Sequence, residues 1–104
     1  MAMLEQLRKF VRQVPRGKVS TYGAIATAAG HKGAARQVVW ALRSSPVPLP
    51  WHRIVSAGGV IRTGGETAME QRLRLEMEGV KFVGRKVDMR SCEHRFAKRK
   101  KSSR

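Results

Sequence analysis

Few side chains in this chain of 104 residues could carry out chemistry, and one of them is its single cysteine, Cys92. A thiolate is a strong nucleophile, but Cys92 has no Cys or His neighbours at the spacing of a zinc finger. One cysteine also cannot form an internal disulfide. The sequence therefore predicts no disulfide framework, no metal site and no cofactor.

His52 and Glu78 are the side chains best suited to acid–base chemistry. An imidazole and a carboxylate together can activate a water or another acceptor, so a hydrolase or transferase is one hypothesis. No nucleophile is recognisable near them. The residue before His52 is Trp51, whose indole offers only an N–H donor and an apolar face.

Charge is the strongest compositional feature of the chain, with 22 Lys and Arg against seven Asp and Glu, a net of +15. Removing residues 95–104, which hold six basic and no acidic residues, leaves 16 basic and seven acidic residues, a charge of +9. A body that is basic without its tail attracts polyanions. Nucleic acid is thus the expected partner, ahead of an anionic membrane or an acidic protein.

The chain contains neither a run of eighteen apolar residues nor a signal peptide, because charged residues interrupt its first fourteen positions. We expect a soluble intracellular protein with no membrane partner. It would be cytoplasmic and associated with the nucleoid in a bacterium, and nuclear in a eukaryote.

Three helices are predicted in the first half of the chain. Apolar residues at spacings of three and four indicate an amphipathic helix over residues 4–14. Ser20 or Thr21 caps a second helix that ends at Gly30. The third helix spans residues 34–43. Its predicted inward stripe comprises Ala35, Val38, Val39 and Leu42, and a different face carries Arg36, Trp40 and Arg43. Two short helices joined by a glycine-containing turn are typical of a helix-turn-helix, although many such pairs bind nothing.

The second half combines a stiff arm, a small β element and one more helix. Prolines at positions 46, 48 and 50 impose an extended arm that ends at Trp51. Residues 53–56 and 60–62 predict a hairpin, or wing, and residues 80–87 a short strand. The last helix is expected over residues 67–78. Its predicted core contacts are Ala68, Leu73 and Met77.

These elements predict one domain over residues 1–90 and a basic, disordered C-terminal tail over residues 91–104. The expected fold class is mostly α with a small β wing, a winged-helix-like helix-turn-helix domain. The tail either adds nonspecific phosphate contacts or is a solvated end.

Five segments, in order, resemble the C-terminal domain of O6-alkylguanine-DNA alkyltransferases, and more closely the non-enzymatic alkyltransferase-like proteins. The resemblance covers about residues 4–84. The matching segments are residues 17–22, 32–38, 43–48, 50–54 and 76–80. In residues 50–54, Pro-Trp-His-Arg-Ile, Trp51 stands where the alkyltransferases carry a reactive cysteine. The resemblance therefore implies a protein that does not transfer an alkyl group.

The resemblance also implies a DNA-binding surface and a base-flipping mechanism. Arg36 would enter the base stack in place of a flipped nucleotide, and Tyr22 would crowd the adjacent phosphate. The alternatives are an arginine on a phosphate and a phenol that packs under the hairpin. The recognition helix would dock in the minor groove. The further residues expected on the DNA surface are Ser20, Thr21, Gln37 and Trp40.

The flipped base would enter a lesion pocket formed by Trp51, Tyr22, Arg62 and Val60, although Trp51 could also be an ordinary core residue. His52, Arg53 and Glu78 match the alkyltransferase site. Without a thiol they are expected to be a structural remnant.

This sequence departs from the alkyltransferase pattern beyond Trp51. Ser45 stands in place of the usual Asn, and the arm before Trp51 is two residues shorter. Val39 and Trp40 occupy positions that are often glycine. These differences predict a reshaped pocket and put the depth of groove insertion in question.

The function implied is recognition of O6-alkylguanine in double-stranded DNA by a monomer that marks the lesion for nucleotide excision repair proteins. The alternative is a general helix-turn-helix DNA-binding or regulatory protein without lesion specificity.

Overall fold

Three helices in the first half of the chain pack around one apolar cluster. The computed structural model describes residues 3–96, and in it these helices are α1 (Met3–Arg12), α2 (Tyr22–Ala28) and α3 (Ala35–Arg43). The apolar spacing of α1 places Leu7 and Val11 in the cluster, and Val14 joins them just beyond the helix. All three predicted helices are confirmed.

The start of α2 is set by one side chain. Thr21 has an extended backbone, and its Oγ1 accepts a hydrogen bond from the Ala24 N–H at 3.1 Å. This satisfies one of the free N–H groups at the helix N-terminus. Of the two predicted caps, Thr21 is therefore the cap.

The buried face of α3 differs in part from the predicted stripe. Val38 and Ala41 are fully buried against α1 and α2. The other three members of the predicted stripe are Ala35, Val39 and Leu42, and they are only half-buried. The face of α3 that packs against α1 is centred on Val38 and Ala41 instead. Trp40 is 56% exposed, so the predicted outer face with Arg36 and Arg43 is confirmed.

A two-residue parallel ladder joins the two halves of the chain. Strand β1 (Ser20–Thr21) pairs with β2 (Ile54–Val55), with Ser20 opposite Ile54. Side chains alternate across a strand, so Ile54 belongs to the first apolar cluster and Val55 to a second.

The hairpin predicted over residues 53–62 is wrong except for one bridge between Ser56 and Val60. Arg53 lies in a 3₁₀ turn (Trp51–Arg53), and β2 takes β1 as its partner instead. A second 3₁₀ turn (Ala57–Gly59) closes the bridge. Gly59 is required there: its φ is +88°, and a Cβ would lie 2.5 Å from the Val87 carbonyl oxygen.

The last long helix, α4 (Gly65–Met77), buries Gln71 and Leu75. The prediction that Leu73 and Met77 contact the core is wrong, because they are 57% and 71% exposed on the outer face. In place of the single strand predicted over residues 80–87, β3 (Phe82–Val83) and β4 (Lys86–Val87) form an antiparallel hairpin. The second cluster comprises Val19, Val55, Leu75, Val80, Val87 and Cys92.

The folded body continues beyond the predicted boundary at residue 90. Helix α5 (Met89–Cys92) buries Cys92, and backbone hydrogen bonds join Val19 to Cys92 and His94 at 2.9 and 2.7 Å. Phe96 packs edge-on against Phe10 of α1. The tail prediction is therefore corrected for residues 91–96, since Cys92 belongs to the second cluster and Phe96 packs against the first. Residues 97–104 lie outside the described residues.

The mostly helical class with a small β component is confirmed. None of the helices between residues 3 and 96 combines the length and the apolarity needed to cross a membrane. The same residues contain no group of three or more His, Cys, Asp or Glu that could hold a metal ion.

Candidate functional site

An open cleft of about 1150 Å³ runs between the helix-turn-helix and α4. One wall comes from α2, α3 and the proline-rich arm, and the other from the Trp51 turn, Arg62 and α4. Its lining residues are Tyr22, Ala35, Arg36, Val39, Leu42, Arg43, Ser45, Pro46, Val47, Pro48, Leu49, Trp51, Ser56, Arg62, Thr63, Thr67 and Arg74.

The helix-turn-helix wall contributes Tyr22, which was predicted for the pocket, and Arg36, which was predicted for the DNA surface. Tyr22 begins α2 and is half-buried; burial raises the pKa of its phenol, and the nearby Arg43 opposes that shift. Arg36 is the second residue of α3 and is exposed. A neutral phenol and two arginines therefore border one side of the cleft.

Trp51 and Arg62 line the opposite side. Trp51 is half-buried at the start of its 3₁₀ turn, and its ring meets that of His52 edge to face, with centroids 6.1 Å apart. The Arg74 guanidinium lies 5.9 Å from the centre of the indole. Trp51 is thus a wall of the cleft and not plain core.

A buried carboxylate fixes the turn that carries Trp51. Glu78 accepts hydrogen bonds from Arg53 Nε at 3.0 Å and Arg53 Nη2 at 2.9 Å, and its Oε2 lies 2.8 Å from His52 Nε2. The Gly17 N–H also donates to it at 3.4 Å. Arg53 Nη1 donates to the Val14 carbonyl at 3.0 Å. His52, Arg53 and Glu78 therefore form a brace that ties the turn to the ends of α4 and α1.

The charge state of Glu78 is set by these contacts. Burial by itself raises the pKa of the carboxyl, but hydrogen bonds from Arg53, His52 and Gly17 outweigh it and lower the pKa to about 2. The group is consequently ionised at neutral pH. Its oxygens are engaged by Arg53, His52 and Gly17, so the arrangement holds structure and is not poised to accept a proton.

Gln71 provides a second brace behind Trp51. Its amide donates to the carbonyls of His52 at 3.1 Å and Ile54 at 2.9 Å, and its oxygen accepts from Thr63 Oγ1 at 3.1 Å. The side chain is 1% exposed. Sequence analysis missed it, because a glutamine at a helix position gives no signal of a buried contact.

Four other predicted site residues do not line the cleft. Ser20 is fully buried, so the prediction that it contacts DNA is corrected: its ladder with β2 turns the side chain inward. Thr21 Oγ1 is engaged as the α2 cap. Val60 does not line the cleft, and its backbone bridges Ser56 and Lys86. Gln37 is half-buried outside the cleft.

Cys92 lies away from the cleft. It is 4% exposed in the second cluster, and its Sγ accepts from the Lys81 N–H at 3.3 Å. Arg43 and Arg74 are cleft residues that the sequence analysis did not assign; Arg43 shares the predicted outer face of α3 with Arg36, which was the available signal.

The chain is similar to known proteins in sequence and in structure. Residues 2–80 match the family model described as the 6-O-methylguanine DNA methyltransferase DNA-binding domain. A DNA base-flipping protein from Vibrio parahaemolyticus is 43% identical over 79 residues, which is 74% of this chain and 79% of that protein. Alkyltransferase-like protein 1 from Schizosaccharomyces pombe is 44% identical over 76 residues, covering 69% and 70%.

The structural comparison gives the same result. The crystal structure of S. pombe Atl1 in complex with damaged DNA containing O6-carboxymethylguanine superimposes with a TM-score of 0.75 and 31% identity. The match covers 91% of this chain and 99% of that one.

Proposed function

Because this chain belongs to the family of 6-O-methylguanine DNA methyltransferase DNA-binding domains, we propose that it recognises O6-alkylguanine in duplex DNA without repairing it. In this proposal, α2 and α3 dock on the duplex, the damaged base leaves the stack, and the cleft receives it beside Trp51. The relatives named as base-flipping and alkyltransferase-like proteins support the proposal.

The observation that carries the proposal is the position of the cleft relative to the helix-turn-helix. Tyr22 and Arg36, at the starts of α2 and α3, border the same cleft as Trp51 and Arg62. A base rotated away from α3 would therefore need to move only across the cleft to reach the indole. Stacking and an apolar wall would offset the few kcal/mol that flipping costs.

The chemistry of Trp51 supports a protein that does not transfer the alkyl group. This residue occupies the position that corresponds to the reactive cysteine in the family resemblance, and an indole does not accept an alkyl group as a thiolate does. Cys92 is buried in the second cluster, outside the cleft. A bound adduct would therefore stay on the DNA.

A protein that binds a lesion without removing it depends on other proteins to complete the repair. We propose that the monomer marks the site for nucleotide excision repair proteins. The same occupancy would shield the adduct from alkyltransferases until those proteins act.

Equilibrium binding to two duplexes that differ only in guanine or O6-methylguanine tests the proposal, with mass spectrometry of protein and DNA afterwards. We expect tighter binding to the lesion with both masses unchanged. Equal affinities would favour a general DNA-binding protein, and a mass gain on the protein would contradict the assignment of Trp51. Loss of the methyl group from the DNA would instead support catalysis through His52 and Glu78.

Arg36 should matter beyond its charge. Arg36→Ala should weaken binding to the O6-methylguanine duplex by about tenfold or more. Arg36 stabilises the vacated base stack, and losing about 1.4 kcal/mol of that stabilisation weakens binding by a factor of ten. The matched control is Arg85→Ala, which removes an exposed arginine from the β3–β4 turn, outside the cleft. Equal effects of the two variants would reduce Arg36 to a nonspecific phosphate contact.

A further inference from the structure

Arg74 lies on the α4 wall of the cleft beside Trp51. Its guanidinium carbon is 5.9 Å from the indole centre, within the range of a cation–π contact. Glu70, one turn earlier, accepts from its Nε at 2.8 Å and lies 2.7 Å from its Nη2. The contacts with Trp51 and Glu70 hold the cation at the cleft, where 49% of the side chain is exposed.

The charged side chains among the described residues that line the cleft are all basic. Four arginines and no carboxylate are among its described lining residues, with Arg36 and Arg43 on one side and Arg62 and Arg74 on the other. Only the second pair shares a wall with Trp51. A group placed against the indole therefore meets a cation held next to it.

We propose that Arg74 makes this cleft select O6 adducts by charge, favouring an acidic substituent over a neutral one of the same shape. The inference rests on the proposed function and specifies the class of lesion it favours. A neutral alkyl group gains the apolar face of Trp51, whereas a carboxylate gains that face and an opposite charge. Because Arg74 is half exposed and already paired with Glu70, the advantage is modest, about two- to fivefold in affinity.

An isosteric pair of lesions isolates this effect. Binding of the full chain is measured to three duplexes that are identical except for one base: guanine, O6-carboxymethylguanine, or its uncharged amide, O6-carbamoylmethylguanine. The two adducts differ in charge and hardly in shape. The quantity compared is the ratio of their dissociation constants, in which contacts to the rest of the duplex cancel.

The matched variants are Arg74→Gln and Arg72→Gln. Both lower the net charge by one and both lie on α4, but Arg72 stacks on Phe82 at 4.1 Å and does not line the cleft. We expect the wild type and Arg72→Gln to prefer the acid about two- to fivefold, and Arg74→Gln to show a lower acid-to-amide preference than either.

An acid-to-amide ratio that is the same in Arg74→Gln as in the wild type overturns the inference, as does a wild-type ratio near one. In both cases the proposed function stands if the adducts bind more tightly than guanine. If neither adduct binds more tightly than guanine, the proposed function fails and this inference fails with it.

Discussion

Glu78 is one carboxylate on which several segments depend. Through His52 and Arg53 it fixes the turn that presents Trp51, and through Gly17 it holds the segment after α1. Its side chain is 8% exposed, so few water molecules could replace these partners. Breaking a buried set of this kind leaves the Arg53 guanidinium without its carboxylate, which is costly.

The free energy of unfolding should therefore depend on pH through the ionisation of Glu78. The pKa is lowered from 4.5 to about 2 in the folded chain, so the contribution is present above pH 4.5 and is lost as the pH falls towards 2. The shift corresponds to about 3 kcal/mol at pH 7, of which about 2 kcal/mol is lost by pH 3. Urea unfolding at the two pH values measures this loss.

Two variants assign the pH effect to this residue. Glu78→Gln should lower the free energy of unfolding by about 3 kcal/mol at pH 7 and flatten its dependence between pH 7 and pH 3. Glu76→Gln removes an exposed carboxylate that pairs with Arg72, and should change stability by less than about 0.5 kcal/mol. An unchanged pH profile in Glu78→Gln would assign the acid sensitivity to other groups.

The resemblance located part of the cleft. Tyr22, Trp51 and Arg62, three of the four residues predicted for the lesion pocket, border one cleft, and Val60 does not. Ser20 was misplaced because the orientation of its side chain depends on a ladder with a segment 34 positions away, which no local pattern reveals. Arg74 was missed for a similar reason, since its approach to Trp51 depends on how α4 packs.

At the scale of elements, α4 positions the Trp51 turn through a polar side chain. Gln71 is the only glutamine among residues 3–96 that is fully buried, and it spans the end of the 3₁₀ turn and β2 by donating to two backbone carbonyls. These carbonyls belong to short elements, a three-residue turn and a two-residue strand. The amide therefore holds the backbone of this turn in place, as ladder hydrogen bonds hold a longer strand.

Gln71→Met keeps the side-chain volume but removes both donors, and should destabilise the protein by about 2 kcal/mol because buried carbonyls lose their partners. Urea unfolding at pH 7 measures the change. The control is Gln13→Met at an exposed position, with a change below about 0.5 kcal/mol. Equal stabilities of the two variants would mean that the carbonyls find other partners.

Helices were easier to predict than strands in this chain. The helices have apolar residues at spacings of three and four, and prolines and glycines mark several of their ends. Each strand has two residues, too few for an alternating pattern to be visible. The hairpin predicted over residues 53–62 failed for that reason, and the parallel ladder between β1 and β2 was missed.

At the scale of the whole molecule, residues 92–96 pack back against the N-terminal half of the chain. Residues 92–94 pair with Val19, the residue before β1, and Phe96 contacts α1. A chain ending at Ser91 loses these hydrogen bonds, the buried Cys92 and the Phe96 contact. It should be less stable than a chain ending at Phe96 by about 3–5 kcal/mol, measured by urea unfolding.

The chain ending at Phe96 serves as the reference for that truncation and also tests the basic tail. If residues 97–104 contact phosphates, their removal should reduce the salt dependence of DNA binding. Equal stability of the chains ending at Ser91 and Phe96 would contradict the assignment of residues 92–96 to the folded body.

The cleft lies along the boundary between the two apolar clusters, which gives it a mechanical property. Its α3 wall is anchored in the first cluster through Val38 and Ala41, and its α4 wall in the second through Leu75. Ile54 and Val55 form the joint between them. A small rotation about that joint would change the width of the opening without repacking either cluster.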